Sequence, residues 1–186
     1  GQFERGGISK RTGCSIVFVA NVYTNSKTKE PMLPNKNYFS VLPDYLGKNT
    51  EFIERIHGVI PGWKFSRLKY SKEQLSTDYA LISDYFSHIL HELRSYSYHS
   101  WLKSKIDHSK DVEMDIRDER AILKLMDALV KLIIPHDYSD LIEDSRILNK
   151  IKEIAINYRQ NVYDSLRSIN KHEYKKKTIN FEFKEG

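Results

Sequence analysis

The sequence predicts a mainly α protein with a small β part, the remnant of an α/β layer followed by a helical bundle. Three observations carry this. The run Cys14-Ser15-Ile16-Val17-Phe18-Val19-Ala20 stops on Asn21, and a stretch this apolar reads as a strand buried on both faces of a sheet. Almost nothing else in the chain could pair with it, as if it were one strand of a larger α/β assembly. Beyond Ser71 the apolar residues recur three and four apart, the pattern of amphipathic helices.

The elements follow in order. Residues 1–14, with paired glycines and then Lys10 and Arg11, read as one arm and the tip of a hairpin leading into the 15–22 strand. Residues 24–37 form a polar loop holding Pro31 and Pro34, too long for a tight turn. A short helix is expected over Thr50 to Arg55, capped by Asn49 or Thr50, with Glu51 in its first turn and Gly58, Pro61 and Gly62 ending it. A long helix over about Lys72 to Ile106 carries Tyr79, Ile82, Phe86, Ile89 and Leu93, with a break near Ser95–Ser100.

A second helix over Ile116 to Ile134 aligns Ile122, Leu125, Met126, Leu129 and Ile133, and Pro135 stops it. A third over Ser145 to Asn170 aligns Leu148, Ile151, Ala155, Tyr158, Val162, Leu166 and Ile169. Lys175–Lys177 read as a solvated linker, and Thr178–Phe183 alternates as a strand. Two domains result, 1–70 and 71–186. An open strand edge seldom stays unpaired, so the 15–22 strand is expected against the tail strand or a second copy.

Bulk properties narrow the class. With 186 residues the chain can bury roughly 70% of its unfolded surface, enough for a core. The lone Cys14 excludes an internal disulfide and is better read as a small core residue than as a nucleophile. With no signal peptide visible, the expected setting is reducing and cytoplasmic. No apolar run reaches ~20 residues, so no membrane partner is expected. The net charge of +5 is compatible with an anionic partner. The chain opens on Gly1 and polar text, as an internal fragment behind a tag scar would.

Three polar positions stand in a meaningful order: Asn21 at the end of the strand, Arg55 on the short helix, and Arg117 opening a helix of the bundle. This order resembles the second half of an AAA+ ATPase module. Phe52-Ile53-Glu54-Arg55, and Arg117 followed by Ala121-Ile122-Leu123-Lys124-Leu125, resemble the arginine-finger segment and lid helix of minichromosome-maintenance helicases. The longer phrases FIERIHGVIPGW and IRDERAILKLMDALVKLIIP are most similar to the BrxL-like, Lon-related ATPases of BREX phage-exclusion systems. The similarity runs over nearly the whole chain.

The resemblance implies roles. Asn21 would be sensor 1, positioning the attacking water; Arg55 would act in trans on the neighbouring subunit's nucleotide; Arg117 would be the second sensor. Developing charge on a γ-phosphoryl group calls for placed cations of this kind and a held water. Lys10 and Arg11 would face a central pore and contact DNA phosphates. The parent would use ATP and Mg and self-associate into a ring, DNA being its expected partner. Neither cofactor is expected tightly bound here, because the sequence has no G-x-x-x-x-G-K-[ST] and no apolar strand ending in paired acids. By the same resemblance the fragment alone should not hydrolyse ATP, and no protease domain is expected within it.

Each residue also has a plain structural alternative. Asn21 fits a strand-end turn former, and Arg55 a surface arginine paired with Glu51 or Glu54. Arg117 could pair with Asp115, Asp118 or Glu119, and Arg120 competes for its role. Lys10 and Arg11 also fit a solvated loop. His88, His91 and Glu92 resemble a ligand cluster, but the third-ligand spacing of a zinc site is missing, so no metal centre is expected. His57 reads as structural or inter-subunit. A stand-alone helical nucleic-acid-binding module and a helical interaction module are the rival functions. The first wants its basic residues on one helix face, whereas these helices mix Lys with Asp and Glu.

Overall fold

The computed structural model describes residues 2–5, 8–11, 15–28, 30–33, 37–65, 79–109, 114–134 and 145–184, and it is mainly helical. Gln2–Arg5 (β1) and Ile8–Arg11 (β2) pair antiparallel, with Phe3 opposite Lys10 and Gln2 opposite Arg11. The register corrects the expected placement of Lys10 and Arg11. Lys10 and Arg11 lie at the end of the ladder shared with Phe3 and Gln2, not at the end where Arg5 meets Ile8.

The apolar run behaves differently from expectation as well. Residues 15–23 form no strand, and Ile16, Val17 and Val19 are 78%, 81% and 93% exposed. A lone strand has no ladder to satisfy its backbone and no sheet face to bury against. None of the described segments supplies one, so the run stays open, and the expected pairing with the tail does not form. Phe18 meets Phe52 edge-on, centroids 5.9 Å apart. The following loop doubles back on itself: Thr24 bridges Pro31, and Asn25 accepts backbone N–H bonds from Lys27 and Thr28 at 2.8 and 3.2 Å.

A 3-10 turn over Tyr38–Val41 leads into α1 (Asp44–Gly47) and α2 (Thr50–Glu54). Asn49 caps α2, its side chain accepting from the Phe52 N–H at 3.0 Å. Then come α3 (Ser83–Glu92), α4 (His99–Lys105), α5 (Ile116–Ile133) and α6 (Ser145–Ile169). The expected long helix breaks within the predicted window. It tightens to 3-10 over Leu93–Ser95, and the Tyr98 N–H is then taken by the Asp127 carboxylate at 2.5 Å.

The core lies between α5 and α6. Ile122, Leu123, Met126 and Val130 meet Leu148, Ile151, Ala155, Val162 and Leu166, and Leu102 and Ile106 close one side. The expected stripe on α5 is thereby rotated: Leu125 and Leu129 are half-buried and Ile133 is exposed. Phe39 and Ile53 belong to this same core. Residues from the first expected domain thus pack on the bundle, and the expected 70/71 boundary lies outside the described residues.

The tail runs in extended form over α6, burying Ile179 and Phe181 on alternate positions. Phe183 bridges Ile106, with Asp107 N–H to Glu182 O at 2.9 Å and Lys184 N–H to Lys105 O at 2.8 Å. A single bridge is formed here rather than the full strand read from the alternation. No helix among the described residues is long and apolar enough to cross a membrane.

Candidate functional site

The segment 54–59 is laid along α6 by one backbone–backbone hydrogen bond and by side chains of α6 that donate to its carbonyls. The Val59 N–H donates to the Tyr158 carbonyl at 3.0 Å, and the Asn161 amide reaches the Val59 carbonyl at 3.4 Å. Arg159 Nη1 donates to the carbonyls of Glu54 and Ile56 at 3.3 and 2.6 Å. Gly58 permits this approach: a Cβ there would stand 2.9 Å from Tyr158 Cβ and 3.0 Å from Leu125 Cδ1. On this fixed base Arg55 closes α2 and is exposed, its Nη1 donating to the Glu51 carbonyl at 3.1 Å. That bond is to backbone, so the expected alternative of pairing with the Glu51 or Glu54 carboxylate is not what these contacts show.

Arg117 sits in the first turn of α5, behind a capping box. Asp115 accepts from the N–H groups of Arg117 and Asp118, and the Asp118 side chain reaches back to the Asp115 N–H. The box satisfies N–H groups that a helix start leaves orphaned. Arg117 forms an ion pair with Glu54, its alternative partners Asp115, Asp118 and Glu119 notwithstanding. Glu54 also accepts from the Tyr174 hydroxyl at 2.6 Å. Burial and the nearby Glu173 raise the Tyr174 pKa, so the phenol keeps its proton and remains a donor.

Glu54, next to Arg55 in sequence, therefore ties the start of α5 to the segment bearing Arg55. The Phe18–Phe52 contact sets the run preceding Asn21 against α2 as well. Asn21 itself is exposed, as is Arg120. Lys10 and Arg11 are placed on β2 only, opposite Phe3 and Gln2.

Below these exposed groups lies a buried ionic cluster that the sequence reading missed. Arg159 Nε donates to Asp118 Oδ1 at 2.8 Å with side-chain exposures of 2% and 0%. Lys177 takes the other carboxylate oxygen at 2.7 Å and stands 4.4 Å from the Tyr163 ring centre. Burial alone would lower the Lys177 pKa. The hydrogen bond and charge of Asp118, with Asp115 and Tyr163, outweigh that and hold it above the ordinary lysine value. The expected solvated linker is thus only Lys175 and Lys176, both exposed, while Lys177 turns inward to a buried carboxylate. A signal existed: Arg159 falls on the Ala155–Val162–Leu166 stripe and Asp118 four residues before Ile122, each a charge on an apolar face.

His57 borders the same segment. Its Nε2 lies 3.2 Å from Lys124 Nζ. Burial, then the charges of Lys124 and Arg159, hold its pKa below the ordinary histidine value. The neutral ring accepts from the ammonium, a structural role that fits the phrase in which it sits. His88 forms a long 3.9 Å contact with Glu92 on exposed α3.

Asn21, Arg55 and Arg117 are all exposed, and of these contacts only the Arg117–Glu54 ion pair joins the setting of one to that of another. Among the described residues no three His, Cys, Asp or Glu side chains gather as metal ligands. Residues 1–180 match the family described as Lon-like protease BrxL-like, ATPase domain. The chain is 25% identical over 169 residues to a Lon-like protease BrxL of Bacillus cereus (strain H3081.97), covering 91% of this chain and 23% of that protein. It is 26% identical over 170 residues to a Lon-like protease BrxL of Escherichia coli O9:H4 (strain HS), again covering 91% and 23%. The chain therefore spans about a quarter of the length of these relatives, and it belongs to the BrxL-like ATPase-domain family.

Proposed function

We propose that this chain supplies the sensing and trans-acting residues of a ring-forming, DNA-associated AAA+ ATPase of the Lon-related, phage-excluding kind. The observation that carries the reading is the setting of Arg55: an exposed guanidinium on backbone gripped from below by a buried arginine. An arginine that completes a neighbour's site needs this combination of reach and a fixed base. Mg-bound ATP would supply the γ-phosphoryl group, with its cradle and metal ligands contributed by residues other than those described.

In this reading Arg55 offsets charge on the phosphoryl oxygens of the adjoining subunit. Asn21 holds the attacking water through its amide, and Arg117 exchanges its contact with Glu54 for a phosphate of its own subunit's nucleotide. Lys10 and Arg11 contribute to DNA phosphate binding, which would weaken steeply with salt. The deciding experiment is ATP turnover by the full-length protein with Arg55→Ala. A fall on the order of 10³-fold, with assembly and nucleotide binding intact, is expected. Unchanged turnover removes Arg55 from the site.

The exposed apolar residues at the start of α3, with Ile82 just before it 74% and Tyr85 and Phe86 on it 55% and 49% exposed, favour a second reading as a protein-interaction module. That reading has Asn21, Arg55 and Arg117 all replaceable without effect on turnover.

A further inference from the structure

We infer that Arg159 is a positioning residue for Arg55, holding the backbone on both sides of it from beneath. The inference rests on the proposed ATPase reading. Arg159 is 2% exposed and uses Nη1 for the carbonyls of Glu54 and Ile56, which bracket Arg55 in the chain. Its Nε is held at 2.8 Å by Asp118, and that carboxylate is held in turn by Lys177 at 2.7 Å and by the capping box of α5. The guanidinium thus spans three acceptors on two separate parts of the chain. On one side is the segment of Arg55; on the other, the helix turn of Arg117.

A buried charge is a poor choice for stability alone, since apolar side chains of similar volume often serve as well. What arginine offers is a planar fork with donors in fixed directions, which the single ammonium of lysine does not reproduce. Here the fork sets the register of residues 54–56 against α6, while the Arg55 side chain stays free to reach outward. Displacing a catalytic group by about 1 Å costs on the order of 10² in rate. Arg159 touches no exposed surface from which it could itself meet a substrate, so its effect must pass through Arg55.

The test is Arg159→Lys in the full-length protein, alone and combined with Arg55→Ala, reading kcat, nucleotide Kd and oligomer size. The expected result is a fall in kcat of about 10²-fold, with Kd and assembly unchanged, and no further fall when Arg55 is already alanine. Wild-type kcat overturns the inference, as does an equal loss in both backgrounds or a loss seen in Kd or assembly. The ATPase reading survives those outcomes provided Arg55→Ala alone is slow. If Arg55→Ala alone is fast, the reading fails and the inference with it. Should Arg159→Lys not fold, Asn161→Ala removes only the amide bond to the Val59 carbonyl of the same segment. It should show a smaller loss of kcat that again vanishes in the Arg55→Ala background, and a loss of the same size in both backgrounds, or none, overturns the inference.

Discussion

Asp118 and Arg159, 41 residues apart in sequence, meet in a 2.8 Å ion pair shielded from solvent on both sides. Their helices α5 and α6 pack through apolar side chains, but this contact fixes one helix against the other and both against segment 54–59. Removing one partner of such a pair strands the other, whereas removing both can be tolerated.

Asp118→Ala should therefore cost about 3–5 kcal/mol, because it leaves Arg159 and Lys177 without their shared carboxylate and opens the capping box. The double variant Asp118→Ala/Arg159→Met should be less destabilised than Asp118→Ala alone. Urea unfolding of the single and double variants checks this. Simple addition of the two losses would show that the pair does not act as a unit.

The glycines give a steric prediction. A Cβ on Gly47 would lie 2.4 Å from the Phe39 carbonyl oxygen, a backbone atom that cannot swing aside. At Gly58 the obstacles are Tyr158 Cβ at 2.9 Å and the end of Leu125 at 3.0 Å, while Gly62 has nothing within 4 Å. Alanine should cost about 1–3 kcal/mol at Gly47 and Gly58 and lie within about 0.5 kcal/mol at Gly62. Thermal unfolding of the three variants, ranked together, decides it.

His57 sets a pH dependence. Burial, Lys124 and Arg159 lower its pKa in the folded chain, so the unfolded chain binds the proton more readily. The contribution is complete above the ordinary histidine value of about 6.5 and is lost progressively as pH falls through that value toward the folded one. His57→Gln keeps an acceptor for Lys124 but does not titrate. Its stability should fall less between neutral and mildly acidic pH than that of the wild type, and identical slopes in urea titrations would exclude the role.

Helix-forming segments were legible because the chain states them twice, in apolar spacing and in end signals. Asn49 and the Ser95–Ser100 break stand at or beside a helix end, while Pro135 lies outside the described residues. The 15–20 run was misread for a physical reason: its composition describes a strand buried by neighbours, and a neighbour strand is not a property of the run itself. Lys177 was misread because a lysine cluster gives no hint of which member faces a buried carboxylate. Arg159 and Asp118 were legible in principle, as charges on apolar stripes, but their pairing is set by how α5 and α6 cross. The candidate site was ordered by sequence as Asn21, Arg55 and Arg117. Sequence did not show that Glu54 joins the last two.

That link separates structure from chemistry at Arg117. Its side chain is 65% exposed where it meets Glu54, so the ion pair itself should contribute no more than about 1 kcal/mol. Glu54 is different, being 16% exposed and also an acceptor for the Tyr174 hydroxyl, so Glu54→Ala would remove that 2.6 Å bond beside the core as well. Glu54→Ala should thus cost about 1–3 kcal/mol. Arg117→Ala should leave the unfolding midpoint nearly unchanged while weakening ATP binding by the full-length protein, measured by equilibrium titration. If Arg117→Ala instead destabilises as much as Glu54→Ala and binds ATP normally, Arg117 is a structural partner of Glu54 and the second-sensor role passes to Arg120, the exposed arginine one turn further along α5.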